Sequence, residues 1–140
     1  MRVLHTRRTR DGEGWRSLDD LLRESDIVSI HVPHTPETEG LIDGRRLALL
    51  RDGATLVNTA RGEVVDEEAL VRELVNGRIG AGLDVFADEP LVPSELLALP
   101  NVVLTPHIGS ATVSTRAAMT RLVVDNVLAV ERGDAPLTPI

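Results

Sequence analysis

The chain has 140 residues, 42% apolar and 26% charged, proportions of an ordinary globular domain or part of a larger protein and not of a disordered tail. Its 22 acidic and 15 basic residues leave a net charge of −7, which argues against nucleic acid or an anionic membrane as partner. Every cation is arginine and there is no cysteine, so lysine Schiff-base chemistry, disulfides, thiolate metal sites and a thiol nucleophile are excluded. No apolar run nears the roughly 18 residues of a membrane span, and the start Met1-Arg2-Val3-Leu4-His5 does not read as a signal peptide; a cytoplasmic protein is expected. Trp15 and Phe86, the only aromatics, are too few for base stacking.

In chain order, Arg2 to His5 reads as a short strand and Ser17 as the N-cap of a helix with Asp19 and Asp20 in its first turn. Ile27 to Val32 reads as a strand ended by Pro33, and Asp43 caps a helix to about Leu50. Ala54 to Asn58 is the next strand; Asp66-Glu67-Glu68 opens a helix that stops near Asn76-Gly77. Ile79 to Asp84 and Asn101 to Thr105 are strands. From Thr112 to Arg132 apolar residues recur at helical spacing, and Gly133 ends that helix. Short apolar strands alternating with helices predict an α/β fold, a doubly wound parallel sheet covered on both faces.

Such sheets bind ligands beyond the carboxyl ends of their strands, and here every strand end carries polar groups. Arg7, Arg8 and Arg10 follow the first strand, and Pro33-His34-Thr35-Pro36-Glu37-Thr38 the second. Thr59-Ala60-Arg61-Gly62 follows the third, Asp84 and then Glu89-Pro90 the fourth, and Pro106-His107-Ile108-Gly109-Ser110 the fifth. Arginine, carboxylate and imidazole therefore converge on one edge.

The segments Asn58 to Asp66, Gly82 to Phe86 with Glu89-Pro90, Thr105 to Ser110 and His31 to Thr38 together resemble the D-isomer-specific 2-hydroxyacid dehydrogenases. The resemblance covers nearly the whole chain, and residues 1–140 look like a partial NAD(P)-binding domain of Rossmann type, with 112–140 its C-terminal helix and tail. It implies hydride transfer between a nicotinamide cofactor and a small 2-keto or D-2-hydroxy acid, with a lean toward the glyoxylate/hydroxypyruvate reductases. Carried over by position, Arg61 holds the substrate carboxylate, a task suited to a guanidinium's paired donors. His107 is the acid/base, since imidazole titrates near neutrality, and Glu89 is its partner. Asp84 and the carbonyl of Thr59 resemble the groups that hold the nicotinamide carboxamide. Val32, Pro33, Thr38, Ala60, Arg61, His107 and Gly109 are the further expected cofactor contacts. Arg7, Arg8 and Arg10 stand where NAD-preferring members often place an acid, so NADP is favoured over NAD. A homodimer is expected, and no metal site.

The sequence also departs from the family pattern. It contains no G-x-G-x-x-G, so the first βα unit, with its pyrophosphate loop, and the separate substrate domain are expected to be lacking. Without that central strand a gap of two strand spacings, about 9.6 Å, separates its neighbours. Arg10 to Leu18 is too short for the usual helix and third strand, and Arg78 to Asp84 is one residue shorter than the common pattern. The chain alone is therefore expected to be inactive. Two other readings remain open: a corepressor-like or nucleotide-sensing binding module, and an idle fragment.

Overall fold

The computed structural model describes residues 1–139; Ile140, the last residue of the expected C-terminal segment, lies outside the described residues. The chain divides into two units, Met1–His107 and Ile108 onward. The second begins a few residues ahead of the 112–140 segment.

The first unit is built on four parallel strands in the order β1 (Ile27–Ile30), β2 (Thr55–Asn58), β3 (Gly80–Leu83) and β4 (Val102–Leu104). Three helices accompany them: α1 (Leu18–Glu24), α2 (Gly44–Leu47) and α3 (Glu67–Val75), and a 3-10 turn over Ser94–Ala98 stands where a fourth would. The expected caps at Ser17 and Asp43 are in place, and Asp66 caps α3. Ser17 accepts from the Asp20 N–H at 3.3 Å, Asp43 from Arg46 at 2.7 Å and Asp66 from Ala69 at 2.9 Å, each satisfying an amide that the first helical turn leaves unpaired. Helix α2 stops at Leu47 instead of Leu50, and the chain turns at once through Gly53, whose φ of 79° suits glycine.

Strands that follow one another in space and in sequence make each crossover step in the same direction, and right-handed crossovers then land on one face. Accordingly α1 touches α2, α2 touches α3 and α3 touches the Ser94–Ala98 turn. Beneath them the inward strand positions Val28, Ile30, Leu56, Ala81 and Leu83 pack with Leu22, Leu47, Leu70 and Leu74; Leu22, Leu47, Leu56 and Leu74 are wholly buried, each worth about 1.5–3 kcal/mol. The other face carries Ile27 (65% exposed) and Val103 (68%). The Rossmann-type parallel sheet is as expected, and its incompleteness shows in cover on one face only.

Arg2 to His5 does not form a strand. Its one ladder contact is a bridge between His5 and Trp15, because the edge strand β1 does not pair with it and, among the described residues, β2 is the only partner β1 has. Instead the segment closes a loop on itself, with the His5 N–H on the Gly14 carbonyl at 3.0 Å and Arg16 N–H on the His5 carbonyl at 2.9 Å. Residues 10–17 carry no helix, in line with their length. The chain enters β3 through a turn at Gly77 (φ 69°) and Arg78. Gly80 to Leu83 keep unbroken register with β2, and Ala81 and Leu83 face inward.

In the second unit Thr112 caps α4 (Val113–Glu131), accepting from Thr115 N–H at 3.1 Å, and Gly133 ends it at φ 81°. The tail folds back onto the helix, where Asn126 exchanges two hydrogen bonds with Thr138 at 3.0 and 3.1 Å.

One side chain ties α2, α3 and the lead-in to β3. Arg78 donates to the Leu47 carbonyl at 2.7 Å, the Leu50 carbonyl at 2.6 Å and the Glu73 carboxylate at 2.5 Å; the Leu47 carbonyl also accepts from the Leu50 N–H at 3.1 Å. Arg78→Ala is expected to lower stability by about 2 kcal/mol in urea denaturation; a loss within the error of the measurement would show that water replaces the guanidinium without cost.

Candidate active site

The four strands end level. Ile30 pairs with Asn58, Asn58 with Leu83, and Leu83 with Leu104, so the residues that follow, His31, Thr59, Asp84 and Thr105, leave the sheet along one edge. At a strand spacing of about 4.8 Å the four loops emerge within roughly 14 Å. The first two enclose an open cleft of about 600 Å³ lined by His31, Val32, Pro33, His34, Thr59, Ala60, Arg61 and Glu63. Five expected residues, Val32, Pro33, Thr59, Ala60 and Arg61, thus share one cavity. Thr38 serves its own loop: its hydroxyl donates to the Pro33 carbonyl at 2.6 Å and accepts from the Thr35 N–H at 2.8 Å.

Arg61 sits on a turn held from two sides. The Asn58 amide, only 2% exposed, accepts from the Ala60 N–H at 3.0 Å and donates to the Arg61 carbonyl at 2.9 Å. On the other side Gly62 lies against the backbone after β3, where a Cβ would overlap the Phe86 carbonyl carbon. The Arg61 guanidinium donates to the Ala60 carbonyl at 2.6 Å.

The loops after β3 and β4 meet through Glu89 and His107. Glu89 Oε2 lies 2.7 Å from His107 Nδ1, and its Oε1 accepts from the Phe86 N–H at 3.1 Å. The His107 bond first, then the Phe86 N–H, hold the Glu89 carboxyl below its ordinary value; burial opposes them, and the charges of His107 and Arg61 add to the lowering. His107 has a φ of 52°, a left-handed conformation that costs a non-glycine residue roughly 1–2 kcal/mol and that histidine adopts more readily than most. With Nδ1 engaged by Glu89, Nε2 is the ring nitrogen open to a ligand. Asp84 is 4% exposed and accepts from the Thr105 hydroxyl at 2.5 Å.

The basic loop is partly occupied with itself. Arg7 pairs with Asp11, Arg10 stacks over the Trp15 ring at 5.6 Å, and Arg8 lies near enough to Glu37 to lower that carboxyl further, after the dominant Thr35 hydroxyl bond and a backbone N–H. Gly109 falls in the second unit, in the turn ahead of α4. Asn58 and Gly62 are site residues that sequence reasoning misses. A signal exists for Asn58: two positions after Leu56, strand alternation puts it on the buried face, where an amide must find partners. The contact of Gly62 is tertiary and has none.

Comparison with known proteins finds relatives of one family. Residues 1–109 match the D-isomer specific 2-hydroxyacid dehydrogenase, NAD binding domain. The glyoxylate reductase of Pyrococcus furiosus is 50% identical over 146 aligned positions, covering 99% of this chain and 44% of that protein. That of Thermofilum pendens is 54% identical over 121, covering 85% and 36%. A solved structure from Thermus thermophilus superposes with a TM-score of 0.92 at 49% identity, covering 100% of this chain and 46% of the other. The NADPH-dependent glyoxylate/hydroxypyruvate reductase of Sinorhizobium meliloti, solved with NADP and malonate, gives 0.89 at 44% identity, covering 98% and 44%. The chain thus spans less than half the length of the relatives it matches. Among the described residues no helix is long and apolar enough to cross a membrane, and no cluster of metal-ligating side chains occurs.

A glutamate whose folded value lies below the ordinary 4.5 contributes its contacts fully above that value and loses them as pH falls through the depressed one. Carbon NMR of the Glu89 carboxyl is expected to give a midpoint below 4.5, rising toward it in His107→Ala. A wild-type midpoint at or above 4.5 would contradict the pairing.

Proposed function

The chain belongs to the D-isomer specific 2-hydroxyacid dehydrogenases by its NAD-binding domain, and from that membership we propose that it is the catalytic-edge half of an NAD(P)-dependent reductase of small 2-keto acids of the glyoxylate/hydroxypyruvate kind. The observation that carries the proposal is the convergence of Arg61 and the Glu89–His107 pair on one sheet edge, beside a cleft.

The residues present fit the nicotinamide end of the cofactor. The cleft is open and lined by residues of both the first and second strand-end loops, and a buried carboxylate, Asp84, lies at the adjoining strand end. Thr59 and Asp84 would hold the carboxamide, with Val32, Pro33 and Ala60 as further contacts. When bound there, the nicotinamide supplies the hydride.

The chain's own residues do the rest. Arg61 pairs through its fork with the substrate carboxylate and the neighbouring carbonyl oxygen, fixing the plane of the keto acid. His107 gives a proton from Nε2 to the oxygen as it gains negative charge. Glu89 accepts from Nδ1, so the ring presents Nε2 as the acid. Positioning accounts for most of the remaining acceleration.

In a full-length protein that contains this half, His107→Ala is expected to cut turnover of glyoxylate by roughly 10²–10⁴-fold while leaving the cofactor dissociation constant within a few-fold. A comparable weakening of cofactor binding would sink the acid/base role. Arg61→Ala is expected to raise the glyoxylate KM; unchanged kinetics would remove it as the carboxylate clamp.

The preference for NADP over NAD is part of the same reading, supported by Arg7, Arg8 and Arg10 in the loop after the first segment. Calorimetry with NADPH and NADH is expected to favour NADPH, and Arg7→Ala/Arg8→Ala to abolish the difference. Equal affinities in the wild type would refute it.

A further inference from the structure

We infer that Asn58 is a positioning residue for Arg61, acting through the turn that carries the guanidinium; the inference rests on the carboxylate role given to Arg61 above. Asn58 is the last residue of β2 and faces the interior, the one polar side chain among the inward positions of β1, β2 and β3. A buried amide must spend both ends on partners, and this one spends both on the three residues that follow it. Its oxygen takes the Ala60 N–H at 3.0 Å and its nitrogen gives to the Arg61 carbonyl at 2.9 Å.

The side chain stands in for the backbone partner that the strand's end removes, as Asn does in tight turns. Its own main chain is anchored independently, for the Asn58 carbonyl accepts from Asp84 N–H at 3.0 Å. The amide therefore transmits the position of the sheet to the Cα of Arg61.

The opposite side of the turn is fixed as firmly. Gly62 meets Phe86 and Ala87 with no room for a Cβ. The Phe86 N–H holds Glu89, and Glu89 holds His107. Arg61 is thus spanned by two constraints, one from β2 through Asn58 and one from the loop that carries the acid/base pair. Releasing the Asn58 end leaves the turn held only from its far side, by the contact at Gly62 and by the long bond of 3.4 Å from the Val64 N–H to the Arg61 carbonyl. A misplacement of about 1 Å at a substrate-orienting group can cost a hundredfold in rate.

The test is a cycle in the full-length protein that contains this half, with glyoxylate and NADPH, read alongside amide hydrogen exchange. Asn58→Ala is expected to raise the glyoxylate KM at least tenfold with the NADPH dissociation constant unchanged, and to speed exchange at the Ala60 amide at least tenfold relative to Leu56 and Leu83. In the Arg61→Ala background, Asn58→Ala is expected to add little to KM, because residues that act as one unit are not additive. Asn58→Ser, whose hydroxyl can still accept from Ala60 but cannot span to the Arg61 carbonyl, is expected to restore protection at Ala60 and only part of KM; it also serves should the alanine variant not fold. Unchanged KM and Ala60 exchange in Asn58→Ala would overturn the inference, as would effects of Asn58→Ala and Arg61→Ala that simply multiply. If Arg61→Ala itself leaves KM unchanged, the carboxylate role falls, and the positioning role is decided by Ala60 exchange alone.

Discussion

The site depends on one backbone-to-backbone contact. The loops after β2 and β3 touch at Gly62, where even a methyl group would overlap the peptide between Phe86 and Ala87. Parallel strands set their loops about 4.8 Å apart, and side chains ordinarily hold such loops further from each other above the edge. With none at Gly62, Arg61 is drawn toward the loop that carries Glu89, close enough for its charge to act on that carboxyl. The same Phe86 whose carbonyl abuts Gly62 uses its N–H to hold Glu89. A single peptide neighbourhood therefore fixes both the cation and the anion of the site.

From that contact the electrostatic order follows. Glu89 accepts from His107 and from a main-chain N–H, both of which favour its charged form. A carboxylate kept ionised gives the imidazole a constant partner across the neutral range, while the left-handed backbone of His107 turns the chain at the end of β4 so that the ring meets Glu89. Strain at a residue of this kind is borne where the geometry it secures is of use. Asp84 is buried at the same edge and is bonded to Thr105, two residues before His107, so β3 and β4 are joined by side chains as well as by the ladder.

Much of this was legible in the sequence, for definite reasons. The caps at Ser17 and Asp43 were readable because a short polar side chain ahead of a helical pattern has one strong local use. Strand ends were readable because β-branched runs stop at polar residues that the edge must carry, and four such ends in order identified the site. Arg2 to His5 failed as a strand because a strand is defined by its neighbour, and no local pattern reveals whether a neighbour is present. The open sheet face was hidden for a related reason: apolar positions such as Ile27 and Val103 read as buried in a two-faced sheet, while the order of crossovers decides which face the helices cover. Gly62 was quoted within a motif, but its close approach depends on Phe86, far along the chain, and so does the pairing logic around it.

The exclusive use of arginine takes on meaning once its partners are sorted. Arg78, Arg46, Arg51 and Arg16 each hold a main-chain carbonyl and a carboxylate together, which a planar fork with several donors does and a point-charge ammonium does poorly. These residues join α1, α2 and α3 to their surroundings, and composition alone gave no way to separate them from a ligand-binding set. Arg61 differs in kind. Its guanidinium meets the neighbouring Ala60 carbonyl and no carboxylate at ion-pair distance among the described residues, although Glu89 lies near enough to feel its charge. An arginine with its turn fixed from two sides and its fork left without a carboxylate is suited to receive one from outside the chain, and that combination sets it apart from the arginines that hold the fold together.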